Sequence, residues 1–135
     1  MIDTTYAEAL RLAQEECLED ENCIIMGLGV PDPKGIFGST LGLQEKFGKE
    51  KVFDIPLSEN AITGMAIGLA IKGYKPIITH QRVDFALVST EQIINQVAKW
   101  NYMFDGKMSL PIVIRMIIGR GWGQGPQHSQ CLYSL

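Results

Sequence analysis

Apolar positions along the chain recur first with a helical period. Tyr6, Leu10, Ala13 and Cys17 fall at three- and four-residue steps, with Glu8, Arg11, Glu15 and Glu19 opposite them. The pattern predicts a helix capped by Asp3 or Thr4 and ended by the acidic run Glu19-Asp20-Glu21-Asn22. Cys23 to Leu28 is then a continuous apolar run, the signature of a strand buried on both faces. Pro31-Asp32-Pro33-Lys34-Gly35 has turn chemistry, and a short helix from Thr40 to Phe47 is closed by Gly48. Val52 to Ile55 predicts a second strand, stopped by Pro56. Ser58 then caps a strongly apolar helix through Ala70, whose small residues Gly64, Ala66, Gly68 and Ala70 allow close backbone approach. Lys75 to Thr79 is a third strand. A long helix from Phe85 to Tyr102 follows, with Leu87, Ile94, Val97 and Ala98 inward. Leu110 to Ile118 is a fourth strand, expected in the sheet interior, and Ser129 to Leu135 has the pattern of a starting helix. Strands alternating with helices predict an α/β fold: a mainly parallel sheet with helices on both faces. An interior strand so near the last residue also predicts truncation at the C-terminus.

Composition changes this picture little. The chain has 135 residues, 46% hydrophobic and 20% charged, with a net charge of -3. That suits one folded domain and excludes disordered or low-complexity classes. No Lys/Arg cluster could neutralise a run of phosphates, so nucleic acid is an improbable partner. No run of about eighteen apolar residues suggests a membrane span, and the first residues lack signal-peptide character, so a cytoplasmic address is expected. Cys17, Cys23 and Cys131 form no CxxC pair and are expected to be buried, reduced thiols. With two histidines, His80 and His128, a histidine-based metal site is not expected.

Three segments could carry chemistry. In the segment from Phe53 to Gly68, Glu59 sits in the first turn of an apolar helix. The helix terminus favours its ionised form and apolar surroundings oppose it. Such a carboxyl could share a proton with a ligand, or could be a plain helix N-terminal acid. In His80-Gln81-Arg82-Val83-Asp84-Phe85, Arg82 and Asp84 directly follow a strand, where open α/β sheets place ligands. Phe85 could offer a flat face to a ring or simply be the first core residue of the next helix. The glycine-rich segment from Gly119 to Gln130 only superficially resembles a dinucleotide fingerprint, since its third glycine would fall on Gln124. His128 there is either a solvated loop histidine or a site residue. Walker and nucleophile-elbow motifs are absent from the sequence.

Four stretches in order resemble the pyrimidine-binding domain of thiamine-diphosphate enzymes, and specifically the beta subunit of 2-oxoacid dehydrogenases of pyruvate and branched-chain type. They are Val52 to Glu59, Asp84-Phe85, Gln92 to Lys99, and Gln127-His128-Ser129-Gln130. The resemblance covers residues 1–135 and favours the functional reading of Glu59. It implies that Glu59 hydrogen-bonds the cofactor's aminopyrimidine ring nitrogen, favouring the tautomer that removes the thiazolium C2 proton. Gln81 and Phe85 are implied as cofactor contacts, and His128 as a catalytic and substrate-contacting residue near the reactive end. The diphosphate and Mg2+ are implied to lie on an alpha-type partner, because the Gly-Asp-Gly…Asn motif is absent here. A homo-oligomer or heterotetramer and a 2-oxo acid substrate follow from the same resemblance.

The sequence departs from the pattern in three places. Gly27-Leu28-Gly29-Val30 lacks the family's acidic residue, the C-terminal domain is missing, and His80-Gln81-Arg82 is unusual. Arg82 would suit an anionic substrate. A transketolase-like or split decarboxylase subunit, or a non-catalytic assembly module, are the alternative readings.

Overall fold

The sheet is built around the run that looked buried on both faces. In the computed structural model, which describes residues 3–119, 121 and 123–134, β1 (Cys23–Gly27) is buried at every position. It lies between β2 (Val52–Phe53) and β3 (Lys75–His80), and β4 (Val113–Met116) pairs with β3. The order is β2-β1-β3-β4 and every pairing is parallel. Ile25 is in register with Val52 and Ile77, and Met26 with Phe53 and Ile78. Successive side chains alternate across a sheet. Ile25, Val52 and Ile77 therefore join Leu18 of α1 (Tyr6–Leu18) and Leu43 of α2 (Leu43–Phe47) in one core cluster. Met26 and Ile78 join Ile62 and Ala66 of α3 (Glu59–Ile71) in a second. Helices on both faces of a parallel sheet are thus what the apolar run of β1 serves.

Several expectations are corrected. Thr5, not Asp3 or Thr4, caps α1, accepting a hydrogen bond from the Glu8 N–H. The expected inner face of α1 is turned away: Tyr6 is 81% exposed and Cys17 is exposed, while Gln14 and Leu18 are buried. The cause is a polar knot beneath the helix. Gln14 donates to the carbonyls of Leu10 and Ser39 and accepts from Arg115, whose guanidinium also reaches Ser39 and Thr79. Of the three thiols only Cys23 is buried, and burial pushes it up to about 11. Cys131 is partly covered.

Ser58 occupies the cap position of α3, but its side chain makes no capping hydrogen bond. The long helix expected from Phe85 to Tyr102 begins at Val83 and is irregular. It runs through α4 (Val83–Ala86), a 3-10 turn (Leu87–Ser89), π turns (Gln92–Val97) and α5 (Ala98–Met103). Val83, Ala86 and Ser89 are buried there, whereas Leu87, Ile94 and Ala98 are exposed, because a tighter 3-10 turn at 87–89 and wider π turns at 92–97 both break the regular α-helical register. The fourth strand is shorter than predicted and lies at the edge of the described sheet, with Val113 exposed. Residues 129–134 form no helix, and Leu135 lies outside the described residues. Among the described residues, no helix is long and apolar enough to cross a membrane.

Candidate functional site

The carboxyl ends of β1, β2 and β3 converge with the amino end of α3, the position where open α/β sheets hold ligands. Asp54 ties this end together. Its Oδ1 accepts from the N–H of Gly29, after β1, at 2.9 Å, and from the N–H of Ile55 at 2.8 Å. Pro56 then ends the extended segment, and α3 starts with Glu59. Glu59 is half-buried and lines a narrow crevice with Leu28, Ile55, Leu57, Gln81 and Phe85.

His80 forms part of the same wall. It is the last residue of β3, 4% exposed, with Nε2 3.4 Å from the Ser89 hydroxyl. Burial pushes its imidazole below the ordinary histidine range, and the Glu59 carboxylate pulls the other way.

Across Gln81 and Phe85, which line both depressions, opens a cavity of about 320 Å3. Arg82, Lys34, Phe37, Gln124, Asp32 and His128 form much of its wall. Arg82 is buried; its Nη1 donates to the Gln81 carbonyl at 2.8 Å and its Nη2 to Gln124 Oε1 at 2.9 Å. The Phe37 ring lies 5.3 Å from the guanidinium carbon. Gly29 has φ +74°, and a Cβ there would lie 2.7 Å from Gln81 Nε2, so glycine is what allows the Gln81 amide between the two depressions.

His128 meets Phe85 edge to face, with ring centroids 5.1 Å apart. Its loop is held by a clasp. Asp84 Oδ1 accepts from both the backbone N–H and the Nε2 of Gln130, at 3.3 and 2.9 Å. Burial would raise the Asp84 carboxyl, but hydrogen bonds from the Gln130 side chain and backbone hold it below the usual carboxylate range. Gly119 supports the clasp from beneath. Its N–H donates to the Gln130 carbonyl, and a Cβ there would collide with the His128 carbonyl oxygen.

The residues named from the sequence therefore fall into two groups around one shared wall. Glu59, Gln81 and Phe85 line the crevice; Gln81, Arg82, Phe85 and His128 line the cavity. Glu59 does not line the cavity, and neither Arg82 nor His128 lines the crevice. Sequence reasoning missed His80, Phe37, Lys34 and Gln124 as wall residues. A signal existed for Phe37, which stands between Gly35 and Gly38. Nothing in the spacing ties Gln124 to Arg82, 42 positions away. Arg120 and Trp122 of the glycine-rich segment lie outside the described residues. No cluster of three or more His, Cys, Asp or Glu side chains suited to a metal ion occurs among the described residues.

A parallel sheet carrying a carboxylate, a ring and a cavity with a buried guanidinium at its carboxyl ends defines an α/β ligand-binding domain. The chain belongs to the family described as the transketolase pyrimidine binding domain, whose model matches residues 1–134. It is 39% identical over 130 residues to subunit beta-2 of the mitochondrial pyruvate dehydrogenase E1 component of Oryza sativa subsp. japonica, covering 96% of this chain and 35% of the relative. It is also 39% identical over 132 residues to the 2-oxoisovalerate dehydrogenase subunit beta of Bacillus subtilis, covering 97% of this chain and 40% of the relative. The pyruvate dehydrogenase E1 component subunit beta of Rhizobium meliloti is likewise 39% identical, across 97% of this chain and 29% of its own length. The chain thus spans well under half the length of these relatives.

Proposed function

We propose that this chain is the pyrimidine-binding half of a thiamine-diphosphate-dependent 2-oxoacid dehydrogenase, working with an alpha-type partner that carries the diphosphate and Mg2+. The carrying observation is Glu59: a half-buried carboxylate in the first turn of α3, in a crevice walled by Leu28, Ile55 and the Phe85 ring. That carboxylate is open to a ligand at the crevice mouth, with the Phe85 ring on the same wall. An acid beside a flat apolar wall fits an aminopyrimidine, which offers one ring nitrogen to an acid and its face to an aromatic ring.

When bound, thiamine diphosphate supplies a ring that accepts the electrons left as carbon dioxide departs. Glu59 holds a proton at the pyrimidine ring nitrogen, and Phe85 and Gln81 orient the ring. His128, which meets Phe85 from the cavity side, would contact the reacting substrate, and Arg82 would offer charge to an anionic one. The crevice has room for about one water (about 10 Å3), so Glu59, Gln81 and Phe85 would hold a ring only at its mouth, with further contacts supplied from outside this chain. That is the physical basis for expecting a partner chain.

The test is hydrogen–deuterium exchange at C2 of thiamine diphosphate with Mg2+. The chain alone should give no acceleration. The chain with an alpha-type partner should accelerate exchange, and Glu59→Gln should abolish that acceleration without changing the melting temperature. Unchanged exchange in Glu59→Gln removes the proposal. A folded chain that never accelerates exchange with any alpha-type partner is a non-catalytic assembly module.

A further inference from the structure

We propose that the cavity around Arg82 selects a 2-oxo acid bearing a second carboxylate, distinct from the one lost as carbon dioxide. This rests on the reading of Glu59 and Phe85 given above and names the substrate class of the same site.

Arg82 is 7% exposed, and its position is over-determined. Its guanidinium donates to the Gln81 carbonyl and to Gln124 Oε1 and lies beside the Phe37 ring. The backbone that delivers Phe37 is strained. Residues 35–38 all have positive φ, including Ile36 at 41° and Phe37 at 59°, neither of which is glycine. Such conformations persist only where the surroundings impose them. Here Ile36 is buried in the core cluster of α1 and α2, and Phe37 is left to cover the guanidinium. The strain is therefore used to fix a buried cation on a cavity wall.

A cation held this way is suited to one kind of anion. The carboxylate that leaves as carbon dioxide gives up its charge in the transition state. A guanidinium bound to it would stabilise the ground state more than the transition state and slow the reaction. A carboxylate that stays on the substrate keeps its charge throughout, so Arg82 can bind it without that penalty. The wall agrees with this assignment. Lys34 adds a second positive charge, and Gln81 and Gln124 are polar; Asp32, an exposed carboxylate, is the opposing charge, and Ile36, Phe37 and Phe85 supply the apolar part that a substrate's carbon chain would meet. A methyl group would leave most of about 320 Å3 unfilled, and a branched alkyl group would strip water from Arg82 and Gln124 without replacing it. A 2-oxo dicarboxylate fills the space and pairs with the cation.

The experiment compares 2-oxoglutarate, 2-oxoisovalerate and pyruvate as substrates of the chain assembled with an alpha-type partner, by carbon dioxide release. Expected is a kcat/KM at least ten-fold higher for 2-oxoglutarate, falling by about 100-fold in Arg82→Leu while the values for the two monocarboxylates fall much less. Arg82→Lys should recover part of the loss. A readout without turnover is the binding of glutarate to the chain itself, followed by the His128 ring resonances: saturable in the wild type, and weakened in Arg82→Lys. Preference for 2-oxoisovalerate or pyruvate, or an equal loss for all three acids in Arg82→Leu, overturns the inference. If C2 exchange is accelerated but dicarboxylates are not preferred, this inference alone fails. If C2 exchange is never accelerated, the reading of Glu59 fails and takes this one with it.

Discussion

The two depressions that share Phe85 and Gln81 differ in almost every physical respect. The Glu59 crevice is tight, walled by Leu28, Ile55 and Leu57, and built from residues close to the sheet ends. The Arg82 cavity is roomy, mixes charged and amide groups with the Ile36, Phe37 and Phe85 side chains, and draws on three distant segments: residues 29–37, 81–85 and 124–128. In the crevice, a carboxylate, a ring and a tight fit suit a flat heterocycle with one basic nitrogen. In the cavity, a cation, two amides and open volume suit a flexible polar molecule. Two neighbouring depressions with unlike walls share Gln81 and Phe85, so a change at either of those reaches both, whereas a change at Glu59 or Arg82 reaches one.

Removing the shared wall should disturb both depressions at once. Phe85→Ala takes away both the ring beside Glu59 and the edge-to-face contact with His128, so it should weaken thiamine-diphosphate affinity by roughly ten-fold. Titration calorimetry on the assembled protein measures it, and unaltered affinity would return Phe85 to a packing role.

A narrower disturbance comes from the clasp. Asp84→Ala leaves the Gln130 side chain without its acceptor and should lower stability by about 1–3 kcal/mol. It should also loosen His128 and slow turnover, with little change in cofactor affinity because the Glu59 crevice is untouched. Asp84→Asn keeps an accepting oxygen and should restore most of both losses. Denaturant midpoints and steady-state rates decide it, and equal damage from both variants would show that the charge, not the clasp, matters.

The smallest effect is a pH dependence. Burial holds His80 below the ordinary histidine range in the folded chain. Between that lowered value and about pH 6.5 the unfolded chain binds more protons, so stability rises with pH across this window and is lost as pH falls through it. In urea midpoints measured against pH, His80→Gln should flatten the slope. Glu59→Gln should steepen it, since the Glu59 carboxylate opposes the effect of burial. A slope indifferent to Glu59 would separate the two residues.

Much of the architecture was legible because burial on two faces leaves a short run of apolar residues, and turn and capping residues bound each run. Cys23 to Gly27 lies at the centre of the sheet, and α3 and β3 lie where pattern and proline placed them. The pattern failed where polar packing took over. Gln14 is buried on α1 because Ser39 and Arg115 reach it from distant segments, which no helical period can encode. It failed again at residues 87–98, where a 3-10 turn at 87–89 and π turns at 92–97 break the 3.6-residue register.

At the site, the sequence by itself determined which groups were available and where along the chain they stood: an acid opening an apolar helix, an arginine and a phenylalanine just past a strand, a histidine in a glycine-rich loop. Those are properties of neighbours within a few residues, and local propensity and spacing express them. Only the tertiary structure decided that Glu59 and Arg82 face different depressions, that Gln124 and Phe37 hold the guanidinium, and that Asp84 clasps the loop of His128. Each of those contacts closes a loop of tens of residues. The packing of the whole sheet meets that entropic cost, and no short stretch of sequence carries it.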